Sequence, residues 1–247
     1  YFKQGVARHG VTLKLNNPAD APSLAAGHYD RIVIAAGVRP RLPQIPGVTH
    51  PKVVSYADLL SGRAQAGHRV AVIGAGGIGF DVSTFLLHDE HEGNAANAPQ
   101  ALEQFYAEWG VDTSPAAVGG LKPAQPISAP REVTLLQRKP EKPGRSLGMS
   151  TGWALKAELA RRGLRTLSGC TYERIDDAGL HLSINGMPQT LAVDTIVLCA
   201  GQDSENALVA ELRALGLAPD VIGGAELAAE LDALRAIDQG TRLGLAI

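Results

Sequence analysis

Gly74, Gly76 and Gly79 stand at G-x-G-x-x-G spacing inside the segment RVAVIGAGGIGFD, residues 69–81, with Gly77 in the same turn. That spacing can cradle a pyrophosphate, provided that a strand leads into it and a helix leads out. The first glycine permits the tight turn, the second lets backbone approach the phosphates, and the third lets the helix pack closely on the strand. The apolar run 70–73 reads as a buried strand and 80–87 as a helix, so both conditions are met. The helix start adds unpaired N–H groups and the positive end of a dipole. The competing reading is a glycine turn that serves packing alone.

A second group of residues bears on which dinucleotide fits. The strand expected at 132–137 ends in Gln137-Arg138-Lys139, with Lys142 and Arg145 close behind. In a strand–turn–helix nucleotide unit, an acidic residue at that strand end holds the ribose 2′-OH of NAD, whereas arginine accommodates the 2′-phosphate of NADP. The basic end favours NADPH; a solvated basic loop is the alternative. Ala35-Ala36-Gly37 and Ala200-Gly201 each close an apolar strand with small residues, which close approach of a cofactor or a packed helix would equally require.

Other reactive side chains read as structural. The two cysteines, Cys170 and Cys199, form no C-x-x-C, and Cys199 sits in an apolar strand that predicts a core position. The histidines show no H-E-x-x-H spacing, and His88 and His91 are expected on a wet loop. Asp81 is expected in the first helical turn, where it favours the dipole. Phe105 and Trp109 are expected to pack a long insert.

Positioning these residues takes a mixed α/β chain. Its 247 residues allow one large domain or two small ones, and 45% are apolar. A net charge of −2 gives no basis for a nucleic-acid or anionic-membrane partner, and no apolar run reaches the length of a membrane span. The scarcity of cysteine fits a cytoplasmic setting. A helix over 1–9 is followed by strands at 11–15 and 30–37, a connector at 39–48 with three prolines, and a helix at 55–60. After the glycine-rich unit comes an insert at 88–130 with one helical patch, 102–109. A helix at 150–162 and a strand at 164–167 follow. The period then becomes 2, predicting a meander at 172–192 with a hairpin turn at Asn185-Gly186. A buried strand at 194–201 repeats the pattern of 30–37. A helix at 208–215, a short strand at 221–224 and a helix at 225–237 close the chain.

That order resembles the flavoprotein reductases with two dinucleotide-binding domains, in which an NAD(P)H domain is inserted into an FAD domain. Within them, the sequence is similar to the C-terminal part of the bacterial NADPH-dependent 2,4-dienoyl-CoA reductase family. The residues that carry the similarity include HPKVVSYADLL (50–60), VAVIGAGGIGFD (70–81), EWGVD (108–112), LLQRK (135–139), KPGRSLG (142–148) and the final segment 228–247. The resemblance implies a Rossmann-like NADPH-binding domain at 67–200 inserted in a partial FAD-binding domain made of 1–66 and 201–247. It implies that Gly74, Gly76, Gly77, Gly79, Arg138 and Lys139 meet NADPH, next to Lys142 of the basic strand end. Gly37, Gly223, Gly224 and Ala225 would lie against FAD, and Ala19 near adenine, while Gly201 keeps its reading as a small residue open to cofactor or helix. It further implies a piece of a longer chain whose upstream barrel carries FMN and a 4Fe–4S cluster. Electrons would run from NADPH through FAD, cluster and FMN to an enoyl-CoA substrate. The pattern departs from the family at Gly223-Gly224, where many relatives carry Gly-Asp. Alternatives are a reductase of the ferredoxin or thioredoxin type and a non-catalytic NADP(H) sensor.

Overall fold

The computed structural model describes residues 1–88, 98–114, 116–145, 147–148, 150–229 and 232–247. In chain order the strands are β1 (Val33–Ile34), β2 (Val38–Pro40), β3 (Val53–Ser55), β4 (Arg69–Ile73), β5 (Glu132–Leu136) and β6 (Arg165–Leu167). They continue as β7 (Cys170–Asp176), β8 (Gly179–Ile184), β9 (Met187–Leu191), β10 (Thr195–Leu198), β11 (Gln202–Ser204) and β12 (Asp220–Val221). The helices are α1 (Phe2–Arg8), α2 (Ala21–Ala26), α3 (Tyr56–Leu60), α4 (Gly77–Leu87), α5 (Ala98–Trp109), α6 (Gly152–Arg161), α7 (Ala207–Ala214) and α8 (Ala233–Ala246). The chain divides into two compact units, one of Tyr1–Arg39 with Gln202–Ile247 and one of Pro40–Gly201.

The larger unit is a five-stranded parallel sheet in the order β3-β10-β4-β5-β6. Parallel strands covered on both faces need apolar residues on both, and β4 supplies them in alternation. Val70 and Val72 pack with Phe80, Val82, Leu86 and Leu159 on the helical face. Ala71 and Ile73 pack with Ile175, Leu180 and Leu182 of the antiparallel meander β7-β8-β9 on the other face. Asn185 and Gly186 take φ of 52° and 77° at the β8–β9 turn, the left-handed pair that a tight hairpin demands. The proline-rich connector opens inside β2, which takes in Arg39 and Pro40, and then packs on the meander. Ile45 is buried in the meander cluster, and the Ile175 N–H donates to the Pro46 carbonyl at 2.8 Å. Together with the pairing of β3 on β10, this places Pro40–Ser55 in the larger compact unit.

The smaller unit is held differently. Its β1 and β12 pair in parallel over two residues each, β2 pairs with β11, and its core is Ala21, Ile34, Val209, Leu212 and Ala225. Three sequence expectations are corrected here. Residues 11–15 form no strand; Val11, Leu13 and Leu15 are 57%, 64% and 73% exposed, because alternation marks a strand only where a neighbour supplies the hydrogen-bond ladder. The strand at 30–37 shrinks to Val33–Ile34, with only Ile34 buried. The final helix runs Ala233–Ala246, not 225–237: the Asp232 carboxylate caps it by accepting the Arg235 N–H at 2.7 Å, while Gly223–Ala225 forms a 3-10 turn.

The insert docks through charge. Glu108, 9% exposed, lies 3.4 Å from the Arg162 guanidinium, itself 7% exposed. The Arg161 guanidinium stacks 4.9 Å above the Trp109 ring, in line with the packing role expected of Trp109, whereas Phe105, 6.1 Å from that ring, is 50% exposed. Among the described residues no helix is long and apolar enough to cross a membrane.

Candidate dinucleotide site

Strand β4 pairs with β10 on one side and β5 on the other, and α4 leaves its C-terminal end on the way to β5. Open parallel sheets bind ligands in a crevice outside the carboxyl ends of their strands. The glycine turn caps this end. Gly74 has φ +115°, and a Cβ on it would lie 2.2 Å from the Cys199 carbonyl oxygen. Gly79 has no room either, since its Cβ would lie 1.8 Å from the Gly74 carbonyl oxygen. Both glycines therefore serve the turn and the close seat of α4 on β4. Gly76 and Gly77 differ: a Cβ on either meets nothing within 4 Å. Gly76 is the N-cap of α4 at φ −84°, a backbone that any residue can adopt, and among the described residues no side chain makes a capping hydrogen bond there. Open space above a helix N-terminus fits an anion held by backbone N–H groups.

The basic end of β5 is built by Gln137, which the sequence offered only as the residue before the cations. Its side-chain amide donates to the Lys139 carbonyl at 3.1 Å and to the Glu141 carbonyl. The Lys139 carbonyl also accepts the Gly169 N–H at 2.9 Å. This pins the loop and leaves Arg138, Lys139, Lys142 and Arg145 exposed. The Gln137 carboxamide has spent its donors within the loop, so the exposed groups at the strand end are the cations. Gly144 folds the loop onto α4 at φ +80°, with the Phe80 ring 2.8 Å from where its Cβ would stand.

Two further residues complete the crevice. Gly201, at φ +106°, follows β10, and its carbonyl accepts the Arg41 N–H at 3.0 Å. The Arg41 side chain, which no motif singled out, lies over Gly201 with Nη1 3.3 Å from where its Cβ would be. At the opposite end of the sheet Asp194 ties β10 to β4. Its carboxylate accepts from the Arg69 guanidinium at 2.7 Å and the Arg69 N–H at 2.8 Å, and these bonds hold it down at about 2.

This arrangement has known counterparts. Residues 7–232 match the pyridine nucleotide-disulphide oxidoreductase family. The chain belongs to that family. Its members are flavin-dependent oxidoreductases that use pyridine nucleotides. A curated relative, the metal reductase of Desulforamulus reducens, is 29% identical over 208 residues, which are 83% of this chain and 29% of that protein. Among solved structures, a 2-naphthoyl-CoA reductase in complex with 2-naphthoyl-CoA superposes with TM-score 0.75 at 24% identity, over 100% of this chain and 31% of that one. The HOCl-induced flavoprotein disulfide reductase of Escherichia coli gives 0.53 at 15% identity, over 88% of this chain and 45% of that one. The chain thus spans less than a third of the first two, and the structural likenesses speak to the fold.

Against the family's name, the cysteines here are built into the core. Cys170 is 2% and Cys199 8% exposed, and burial pushes both thiols up, Cys199 to about 12. Thiols so far from the thiolate form are poor nucleophiles. Among the described residues no three of His, Cys, Asp and Glu gather where they could hold a metal ion.

The residues tied by resemblance to the flavin side lie in the smaller unit, and they divide as well. Gly37 and Gly223 have φ of +78° and +65°, and a Cβ on either meets nothing. Gly224 is spent on packing, its Cβ position being 2.8 Å from Val38 Cγ1 and 3.0 Å from the Gly37 carbonyl carbon. Ala225 is fully buried, and the Gly223 N–H already donates to the Gln239 side chain at 2.6 Å. Ala19 is exposed, next to the Asp20 cap of α2. Two smaller corrections concern α4. It starts at Gly77, which puts Asp81 beyond the first turn. His88 is no wet-loop residue, because its ring bonds the Thr84 carbonyl at 2.8 Å and the Glu158 carboxylate at 2.9 Å. His91 lies outside the described residues.

Proposed function

We propose that this chain takes hydride from NADPH to FAD as the reductase part of a flavoenzyme resembling 2,4-dienoyl-CoA reductase. The observation that carries the reading is the pairing of open Gly76 and Gly77 with an exposed basic strand end. Gly76 and Gly77 would receive the pyrophosphate at the α4 N-terminus, while Gly74 and Gly79 keep the turn tight beneath it. Arg138, Lys139 and Lys142 would pair with the 2′-phosphate, arginine by a bidentate fork and lysine as point charges. When bound, NADPH and FAD would supply the hydride donor and acceptor, and the protein's part would be to hold and orient them. Gly37 and Gly223 would admit the flavin nucleotide, with Gly224 and Ala225 shaping the turn behind and Ala19 near adenine. The FMN, 4Fe–4S cluster and enoyl-CoA pocket belong, in this reading, to an upstream barrel of the same longer protein. The likeness in fold to a reductase of an aromatic acyl-CoA along the whole chain supports that choice of acceptor.

The test is turnover by the full protein under anaerobic conditions. NADPH oxidation that requires a 2,4-dienoyl-CoA supports the proposal. Flavin reduction by NADPH without transfer to a dienoyl-CoA keeps the dinucleotide chemistry and removes the acceptor.

A further inference from the structure

The cations at the end of β5 sit on a loop whose backbone is held by one side chain. Gln137 is partly buried, and its amide donates to the Lys139 carbonyl at 3.1 Å and to the Glu141 carbonyl. Gln137 is itself fixed through its backbone: its N–H donates to the Leu167 carbonyl and its carbonyl accepts the Cys170 N–H, both at 3.0 Å. The anchor therefore belongs to the ends of β6 and β7, and the two carbonyls that it captures flank Pro140, which has no N–H of its own to offer. This matters for an anion. A carbonyl oxygen is the negative end of a peptide dipole, and one turned toward a phosphate repels it. With the Lys139 and Glu141 carbonyls drawn to the Gln137 amide, the exposed charges from 138 to 142 are Arg138, Lys139 and Lys142 against the single carboxylate of Glu141.

We propose that Gln137 is the positioning residue through which this loop selects a 2′-phosphorylated dinucleotide: by capturing the Lys139 and Glu141 carbonyls it presets the loop for the phosphate. The inference rests on reading this crevice as the NADPH site. A loop fixed in advance spares the ligand the ordering entropy of fixing it. A glutamate of the same shape does not do this work, because a carboxylate accepts hydrogen bonds and donates none. Facing two carbonyls, it repels both and releases the loop. An acidic residue at this strand end also suits a free ribose 2′-OH and not a phosphate. Arg138 and Lys139 supply the charge, and Gln137 supplies the geometry in which that charge is presented.

Equilibrium binding of NADP⁺ and NAD⁺ to the full chain tests this. Gln137→Met keeps the length of the side chain and removes both donors. It is expected to weaken NADP⁺ by about fivefold and leave NAD⁺ unchanged. Gln137→Glu should weaken NADP⁺ further, by about tenfold or more, since it adds repulsion to the lost bonds; it carries the same test should Gln137→Met fold poorly. In an Arg138→Ala background Gln137→Met should cost less than it does alone, because residues that act through one another are not additive. Unchanged NADP⁺ affinity in both Gln137 variants, equal losses for the two ligands, or fully additive losses with Arg138→Ala overturn the role of Gln137 and leave the site standing. Undiminished NADP⁺ binding by Arg138→Ala, or an unaltered protein that binds neither ligand, overturns the reading of the site, and the proposal with it.

Discussion

The glycines of the two units look alike in sequence and do different work. In the larger unit the turn is made from one contiguous stretch, and its glycines separate cleanly into Gly74 and Gly79, filled against backbone, and Gly76 and Gly77, open. In the smaller unit Gly37 and Gly223–Ala225 come from the two ends of the chain, and half of the set is consumed by packing. A contiguous motif carries its own scaffold, whereas a site assembled from distant pieces inherits its shape from whatever packs around it. Counting glycines cannot separate the two cases; asking what a Cβ would meet can.

The largest effect expected comes from forcing the two kinds of glycine in the turn apart. Gly79→Val must displace α4 from β4, and should cost about 3 kcal/mol or more in denaturant unfolding. Gly76→Val should change stability by about 1 kcal/mol, the difference between glycine and a β-branched residue at an N-cap, yet abolish NADP⁺ binding. Calorimetry and ligand titration on both variants check this. Normal binding by Gly76→Val would remove the pyrophosphate from this turn.

Next in size is cofactor choice. A charge-assisted contact contributes about 1.5–3 kcal/mol before screening, and Arg138 is exposed. Arg138→Ala is therefore expected to weaken NADPH by about tenfold and leave NADH unchanged. Equal losses for both cofactors would show that the β5 end does not read the 2′-phosphate.

In the smaller unit the same logic runs in reverse. Gly224→Ala presses on Val38 and the Gly37 backbone and should cost about 1–3 kcal/mol, with flavin released more readily from the full protein on mild denaturation. Unaltered unfolding would mean that Gly224 is open after all. The smallest effect concerns Asp194. Its carboxyl is held at about 2, below the usual 3.8, so the bond to Arg69 stabilises fully above about pH 4 and fades as pH falls through 2. The Tm gap between the unaltered protein and Asp194→Asn should close over that window; a gap independent of pH would assign the effect to packing.

The larger unit was legible because its signals are local. The β4 run, the glycine turn, the Asn185-Gly186 hairpin and the apolar β10 each fix an element within a few residues. Whatever depended on distant partners was not legible. Residues 11–15 alternate without a ladder partner, and α8 is set by the Asp232 cap despite containing Gly240 and Gly244, poor helix formers. Glu108 and Arg162 are unremarkable charges until the insert docks and buries them together. In the site, Gly74 to Gly79 and the basic strand end could be read directly. The support from Gln137, and Arg41 over Gly201, depend on a loop and a connector that only the folded sheet brings near.

Hydride transfer from NADPH to FAD is the reaction proposed for this chain. Anaerobic titration of the full protein, followed at the flavin absorbance near 450 nm, tests it most directly. Stoichiometric bleaching by NADPH, with NADH far less effective, is the expected result. A protein without flavin, or one whose flavin NADPH leaves oxidised, would contradict the account.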